Sequence, residues 1–326
     1  MTHRFGLFSV FFLLLLISGC GKQSAPPDAG TAMVPIKLAL NWKPEPEFGG
    51  FYAAEVAGFY KQHHLNVEIT GGGDQVPQLL AAGKCDFGIL AADEVVTARS
   101  KGIDLVALFA VYQTNPQGIM SHANMSAKSI GDLMNSAGTL AVQPGLPYVD
   151  FLQKKYPAAK VKIVPYDYSI TGFMADPNYS QQCFVTSEPI AAEQKGAKTK
   201  VFLIADEGFN PYATVVVVRG DYLRGHADVV NDFVQAVGQG WRSYLDDPTH
   251  ANQMMEQLNQ EMDSPTFIAA AKAQQPLIET AETKTNGFGS MSTERWSALI
   301  GQLIDLKLID HAPAAGECFQ NMNTKN

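Results

Sequence analysis

Residues 34–93 read VPIKLALNWKPEPEFGGFYAAEVAGFYKQHHLNVEITGGGDQVPQLLAAGKCDFGILAAD, and this stretch constrains the fold more than any other. An apolar run over 36–40 enters a loop that holds Trp42, two prolines, Glu45 and Glu47. Gly49 and Gly50 then open a segment that reads as an amphipathic helix. An alternating run over 65–69 enters a triple glycine, a second helix follows, and Phe87 to Leu90 closes the unit. The pattern is β-loop-α-β-loop-α-β. In open α/β sheets ligands sit beyond the carboxyl ends of the strands. The segment therefore predicts a fold class, α/β, and the end of the sheet where a site belongs.

The continuous apolar run Leu105–Tyr112 reads as a strand buried on both faces. A connecting strand is expected over 119–121. A second α/β unit follows, with strands over 139–142, 161–164, 182–186 and 200–204. The β-branched run at 214–218 reads as a strand returning to the first unit, and 229–245 has the apolar spacing of an amphipathic helix. The expected architecture is two-lobed, each lobe a mostly parallel sheet flanked by helices. Residues 34–120 and 214–319 form lobe 1, residues 121–213 form lobe 2, and 320–326 form a polar tail. Crossovers near 119–122 and 209–213 make a two-strand hinge suited to closure around a ligand.

The N-terminus reads as a secretory leader over 1–19: a basic start, an apolar run over 6–17 and small residues before Cys20. The Ile17-Ser18-Gly19-Cys20 run resembles a bacterial lipobox, which implies cleavage before Cys20 and acylation of that cysteine. The polar stretch 20–33, rich in Pro, Gly and Ala, reads as a flexible tether. The expected location is outside the cytoplasm, on a lipid anchor facing the periplasm or the cell exterior. The formal charge of −8 and the lack of a basic patch interleaved with aromatics argue against nucleic acid as a partner.

Asn41-Trp42-x-Pro44, 49–53, Gly58-Phe59-Tyr60, Leu65-x-Val67, the glycines at 71–73 and Gly83-x-x-Asp86-Phe87-Gly88 resemble the NMT1/THI5-like group of type II periplasmic binding proteins. Ser187-Glu188-Pro189 falls where relatives carry a similar Glu-Pro motif. The resemblance covers 36–246. It implies the substrate-binding component of an ABC importer, with permease subunits as partners. Ligands associated with the group are thiamine pyrimidine precursors, other heterocycles, and small sulfonates or nitrate. Thiamine-precursor binders of the group usually carry a His where this chain has Phe48, itself a candidate ligand-binding position, and the change removes a hydrogen-bonding group.

Candidate ligand-binding residues follow from position after strands. Trp42 offers a flat face for stacking, or else plugs the lobe. Asn41 ends the first strand. Glu45 and Glu47 either bond a ligand amine or form a solvated acidic loop. Gly49 begins a helix whose free N–H groups face an acceptor, and Tyr52 lies in its first turn. Asp93 follows the third strand, as ligand contact or as N-cap. In lobe 2 the candidates are Gly145 and Tyr148 in a strand-to-helix loop, Tyr166 at a strand end, and Ser187 with Glu188. Glu188 is the foremost, a carboxylate able to accept two hydrogen bonds from an aminopyrimidine-like edge. Asn210 and Tyr212 at the hinge either touch ligand or form the turn.

Cys85, Cys183 and Cys318 read as buried thiols, or two of them as a disulfide. No spacing supports a metal site, no cofactor is expected, and catalytic motifs are absent. The reading is a monomeric, lipid-anchored solute-binding protein, not an enzyme, for a small heterocycle such as a thiamine-precursor pyrimidine. A sulfonate or nitrate binder, a ligand-sensing lipoprotein and a pyrimidine biosynthesis enzyme are the alternatives.

Overall fold

The structure is a computed structural model that describes residues 32–71 and 73–322. The expected leader, the Cys20 lipidation site and the tether up to residue 31 lie outside the described residues, as do 323–326 of the expected tail.

In chain order the strands are β1 (Val34–Ala39), β2 (Leu65–Thr70), β3 (Phe87–Leu90), β4 (Leu105–Tyr112), β5 (Gln117–His122), β6 (Thr139–Val142), β7 (Lys162–Pro165), β8 (Tyr179–Phe184), β9 (Thr199–Leu203) and β10 (Ala213–Arg219). They form two sheets, β2-β1-β3-β10-β4 and β7-β6-β8-β5-β9. Each sheet is parallel except for the strand that arrives from the other one. β10 runs antiparallel to β3 and β4, and β5 runs antiparallel to β8 and β9. The parallel strands keep their carboxyl ends on one edge of each sheet, as the βαβ crossovers require.

The first crossover comes earlier than the sequence suggests. β5 hydrogen-bonds on both sides within the second sheet, so residues 117–120 belong to lobe 2. The chain leaves the first sheet at Tyr112 and returns at Ala213. The strand expected over 182–186 begins at Tyr179 and ends at Phe184.

The C-terminus also differs from expectation. Phe319 bridges Ala107 of β4, and the Gln320 N–H donates to the Ala107 carbonyl at 2.9 Å. The Asn321 side chain bonds both main-chain groups of Met291. Residues 320–322 are therefore pinned along the outer side of β4 rather than forming a free tail. Together with Gly289, which bridges Ala110, they cover the strand at the end of its sheet.

The helix Gly49–Val56 starts where the glycine pair predicts, but it is not amphipathic: its first six residues are all buried. A long amphipathic helix, Ala227–Asp246, packs against it. A Cβ at Gly49 would lie 2.1 Å from the Tyr244 ring, and one at Gly50 2.2 Å from the Trp241 ring. Gly240 in turn faces the Gly50 carbonyl. The glycines let the two helices approach closely. Phe48 and Tyr52 lie in the lobe 1 core, 0% and 2% exposed. Cys85, Cys183 and Cys318 are buried free thiols.

Gly50→Ala is expected to destabilise the fold by about 1–3 kcal/mol, the scale of overpacking a filled core. Gly225→Ala, where an added Cβ meets nothing within 4 Å, is expected to be neutral or slightly stabilising. Urea midpoints of the two variants check this pair.

Candidate functional site

The carboxyl ends of β1 and β7, and the turn after β8, bring the most informative side chains together. The loop after β1 carries Trp42 and Glu45 into the 3-10 turn Pro46–Phe48. Two buried amides hold this loop from behind. Asn259 donates to the Pro44 carbonyl at 3.0 Å and Gln274 to the Pro46 carbonyl at 2.8 Å. A loop whose carbonyls are fixed in this way presents its side chains in a set direction, which binding requires.

From the other sheet, Glu188 opens the helix Glu188–Gln194. Its Oε1 accepts from the Tyr166 hydroxyl at 2.9 Å, and its Oε2 accepts from the Phe184 N–H at 2.8 Å. Tyr166 itself stands one residue past β7, with its N–H on the Val142 carbonyl. Both oxygens of Glu188 are thus fixed before any ligand arrives.

Three carboxyls interact across the gap between the lobes. Burial is the first cause of the rise at Glu45, whose pKa is pushed up to about 7, and repulsion from Glu188 is the second. A hydrogen bond from Trp42 works in the opposite sense. Glu47 is raised well above its usual range by burial, then by Glu45 and Glu188. Glu188 is raised by burial, while bonds from its own backbone, Phe184 and Tyr166 pull it back. Lys43, the nearby cation, is paired with Glu261. Among the described residues no group of three or more His, Cys, Asp or Glu side chains is placed to hold a metal ion.

Aromatic faces close the mouth of this gap. Trp42 of lobe 1 stacks with Tyr168 of lobe 2, centroids 6.1 Å apart and planes 22° from parallel. They are 38% and 58% exposed, large values for such rings. Tyr168 holds a left-handed backbone, φ 58°, which costs a non-glycine residue of order 1 kcal/mol. Tyr166 lies against it at 5.5 Å. A second bridge joins the lobes where Thr266 donates to Gln194 at 2.8 Å. With contacts on both sides of the gap, the lobes stand in a closed arrangement.

Asp93 follows β3, as expected of a strand-end carboxylate, and burial pushes its pKa up to about 6. It does not cap its helix, because Ala91 is the N-cap and Glu94 receives the Ala91 N–H. Asn41 stands two residues past β1, with a buried Oδ1 that has no partner. Gly145 has φ 85° and open space around it, and Ser187 sits at the N-cap of the Glu188–Gln194 helix without a side-chain cap bond.

Several expected residues point elsewhere. Tyr148 is spent inside lobe 2, its hydroxyl donating to Gln182 at 2.8 Å. Asn210 and Tyr212 are engaged at the hinge by Arg295 and Ser292. Phe48, Gly49 and Tyr52 are buried in lobe 1, Phe48 and Tyr52 among its core residues. The sequence reading missed Tyr168, for which no signal exists beyond its place two residues after a strand-end tyrosine.

Fold and site together define a two-sheet α/β protein whose lobes face each other across a gap. The chain belongs to the NMT1/THI5-like family, whose model matches residues 45–251. It is 20% identical to the formylaminopyrimidine-binding protein of Halalkalibacterium halodurans over 98% of both chains. It is 22% identical to the riboflavin-binding protein RibY of Chloroflexus aurantiacus, over 73% of this chain and 74% of that one. A 4-amino-5-hydroxymethyl-2-methylpyrimidine phosphate synthase of Legionella pneumophila is 21% identical over 88% of this chain and 91% of its own length. Among solved structures, the periplasmic aliphatic sulphonate binding protein SsuA of Escherichia coli shares the fold. Its TM-score is 0.69 at 12% identity, over 90% of this chain and 94% of that one.

Glu45 and Asp93 hold protons more tightly folded than unfolded. The stability this gives is complete below the ordinary carboxyl values of 4.5 and 3.8 and is lost as pH rises through about 7 and about 6. The thermal midpoint of the ligand-free protein is expected to fall between about pH 5 and pH 7. Glu45→Gln is expected to flatten that slope, as read by scanning calorimetry across the range.

Proposed function

We propose that this protein is the solute-binding component of an ABC importer. In this reading it is exported, held to a membrane by lipid on Cys20, and works as a monomer that presents its closed form to permease subunits. Its ligand is a small heterocycle with hydrogen-bond donors, such as a thiamine-precursor pyrimidine or a related vitamin precursor. The observation that carries this is the fixed Glu188 carboxyl set opposite Glu45 and Glu47, with Trp42 and Tyr168 beside it.

The chemistry supports that class of ligand. An aminopyrimidine-like edge offers donors to a carboxylate and a flat face to aromatic rings. A ring held between Trp42 and Tyr168 needs two contacts of about 3.5 Å each. The present 6.1 Å between centroids would have to widen by roughly 1 Å, within the reach of lobe movement. Carboxyls raised by burial and mutual repulsion disfavour a sulfonate or nitrate in the same place, since an anion would add to the charge already opposed. The names of the pyrimidine- and riboflavin-binding relatives agree with a flat heterocycle.

The test is a thermal-shift and calorimetric panel of aminopyrimidines, thiamine, riboflavin, taurine, alkanesulfonates and nitrate. Heterocycles are expected to raise the unfolding midpoint, as any ligand selective for the folded state must. Glu188→Gln is expected to weaken the binding of an amine-bearing ligand by about 1–3 kcal/mol. A shift with sulfonates or nitrate alone would overturn the ligand class.

A further inference from the structure

The guanidinium of Arg295 reaches both crossovers between the sheets. It projects from the helix Thr293–Asp305, which packs on lobe 1. Nε donates to the Asn210 carbonyl at 2.8 Å and Nη2 to Asn210 Oδ1 at 3.0 Å, while Nη1 donates to the Gln113 carbonyl. The group lies 3.9 Å over the Tyr212 ring. Asn210 Oδ1 also accepts the Asn115 N–H at 2.9 Å, and Asn115 Nδ2 donates to the Pro211 carbonyl at 3.0 Å. The Tyr212 hydroxyl accepts the Ser292 N–H at 3.0 Å.

No carboxylate lies within ion-pair distance of Arg295 among the described residues; its acceptors are carbonyl and amide oxygens from the two connecting segments. A buried guanidinium is costly unless its donors are met. Its planar fork meets acceptors in several directions at once, which a lysine ammonium on a flexible stem does not do with fixed geometry.

The same helix touches lobe 2 at its other end. Lys154 donates to the Asp305 carbonyl at 2.7 Å, and Gln302 donates to the Gly208 carbonyl at 2.8 Å. These contacts are exposed and made by long side chains, so they yield at little cost. The Arg295 contacts are half-buried, charge-assisted and made together by one planar group, so they are harder to break.

We infer that Arg295 is the positioning residue of lobe closure: it fuses both crossovers to lobe 1, so that bending falls on the lobe 2 side of Asn115 and Asn210. On the second segment that side holds Gly208, with φ 99° and nothing within 4 Å of an added Cβ. This inference rests on the reading of the chain as a binder whose lobes close on a ligand. It adds the residue that sets where and how stiffly they move.

The test uses the whole ligand-free protein. Hydrogen exchange is followed on peptides covering 113–117 and 209–213, and the radius of gyration is measured by X-ray scattering. Arg295→Lys keeps the charge and most of the packing but loses the fork. Exchange at the two crossovers is expected to rise about tenfold, with unchanged protection in β4 and β10 and a larger radius of gyration. Lys154→Ala is expected to leave crossover exchange as it was. Exchange and radius equal to wild type in Arg295→Lys would overturn the inference. A rise spread evenly over all strands would do so too, because it would mark general destabilisation. Since no ligand enters, an error in the ligand class leaves these outcomes untouched.

Discussion

Everything in the structure depends on a chain that crosses between two sheets twice, and on the burial of the strand that comes back. β10 lies between β3 and β4 with six of its seven residues buried. It brings four consecutive valines to the middle of lobe 1. Such a strand cannot be left exposed without uncovering apolar surface on both faces. The second sheet is therefore an insertion held at both ends, and the cleft is what remains between two bodies that cannot separate. The helices after β10 then pack back on lobe 1 and supply the amides that fix the Trp42 loop.

The electrostatics of the cleft follow from that geometry. Glu45 and Glu47 arrive on lobe 1 and Glu188 on lobe 2, so bringing the lobes together brings like charges together. A closed arrangement without neutralisation is opposed by repulsion and by desolvation, and protons on the carboxyls relieve both. A ligand that supplies donors or positive charge gains the same relief. Closure and recognition thus draw on one set of side chains, and the fixed hydrogen bonds to Glu188 leave it little freedom to turn away.

Much of this was legible in the sequence. Alternating runs and glycine-rich turns marked the strands, and the 1-2-1 order followed from the β-branched return run. Trp42, Glu45, Tyr166 and Glu188 stand out in the sequence because they lie just past strands. The misreadings have physical sources. Gly49, Gly50 and Tyr52 belong to a helix buried on nearly every side, where periodicity carries no signal. The sequence places the first crossover late because β5, QGIMSH, reads as a short connecting strand rather than as a member of the second sheet. Arg295 was invisible because its partners lie 85 and 182 residues away, and two of them are main-chain carbonyls, which no side-chain pattern reveals.

The covering of β4 by the C-terminal segment bears on self-association. A strand at the end of a sheet offers a row of free amides and carbonyls on which another chain can template. Here Phe319 and Gln320 occupy that row, and Phe319 stacks on Trp296 at 5.8 Å. Proteolytic loss of a handful of terminal residues would leave the ligand cleft intact. It would expose an apolar template along β4, so that Phe319 and Gln320 act as a guard against strand-on-strand association.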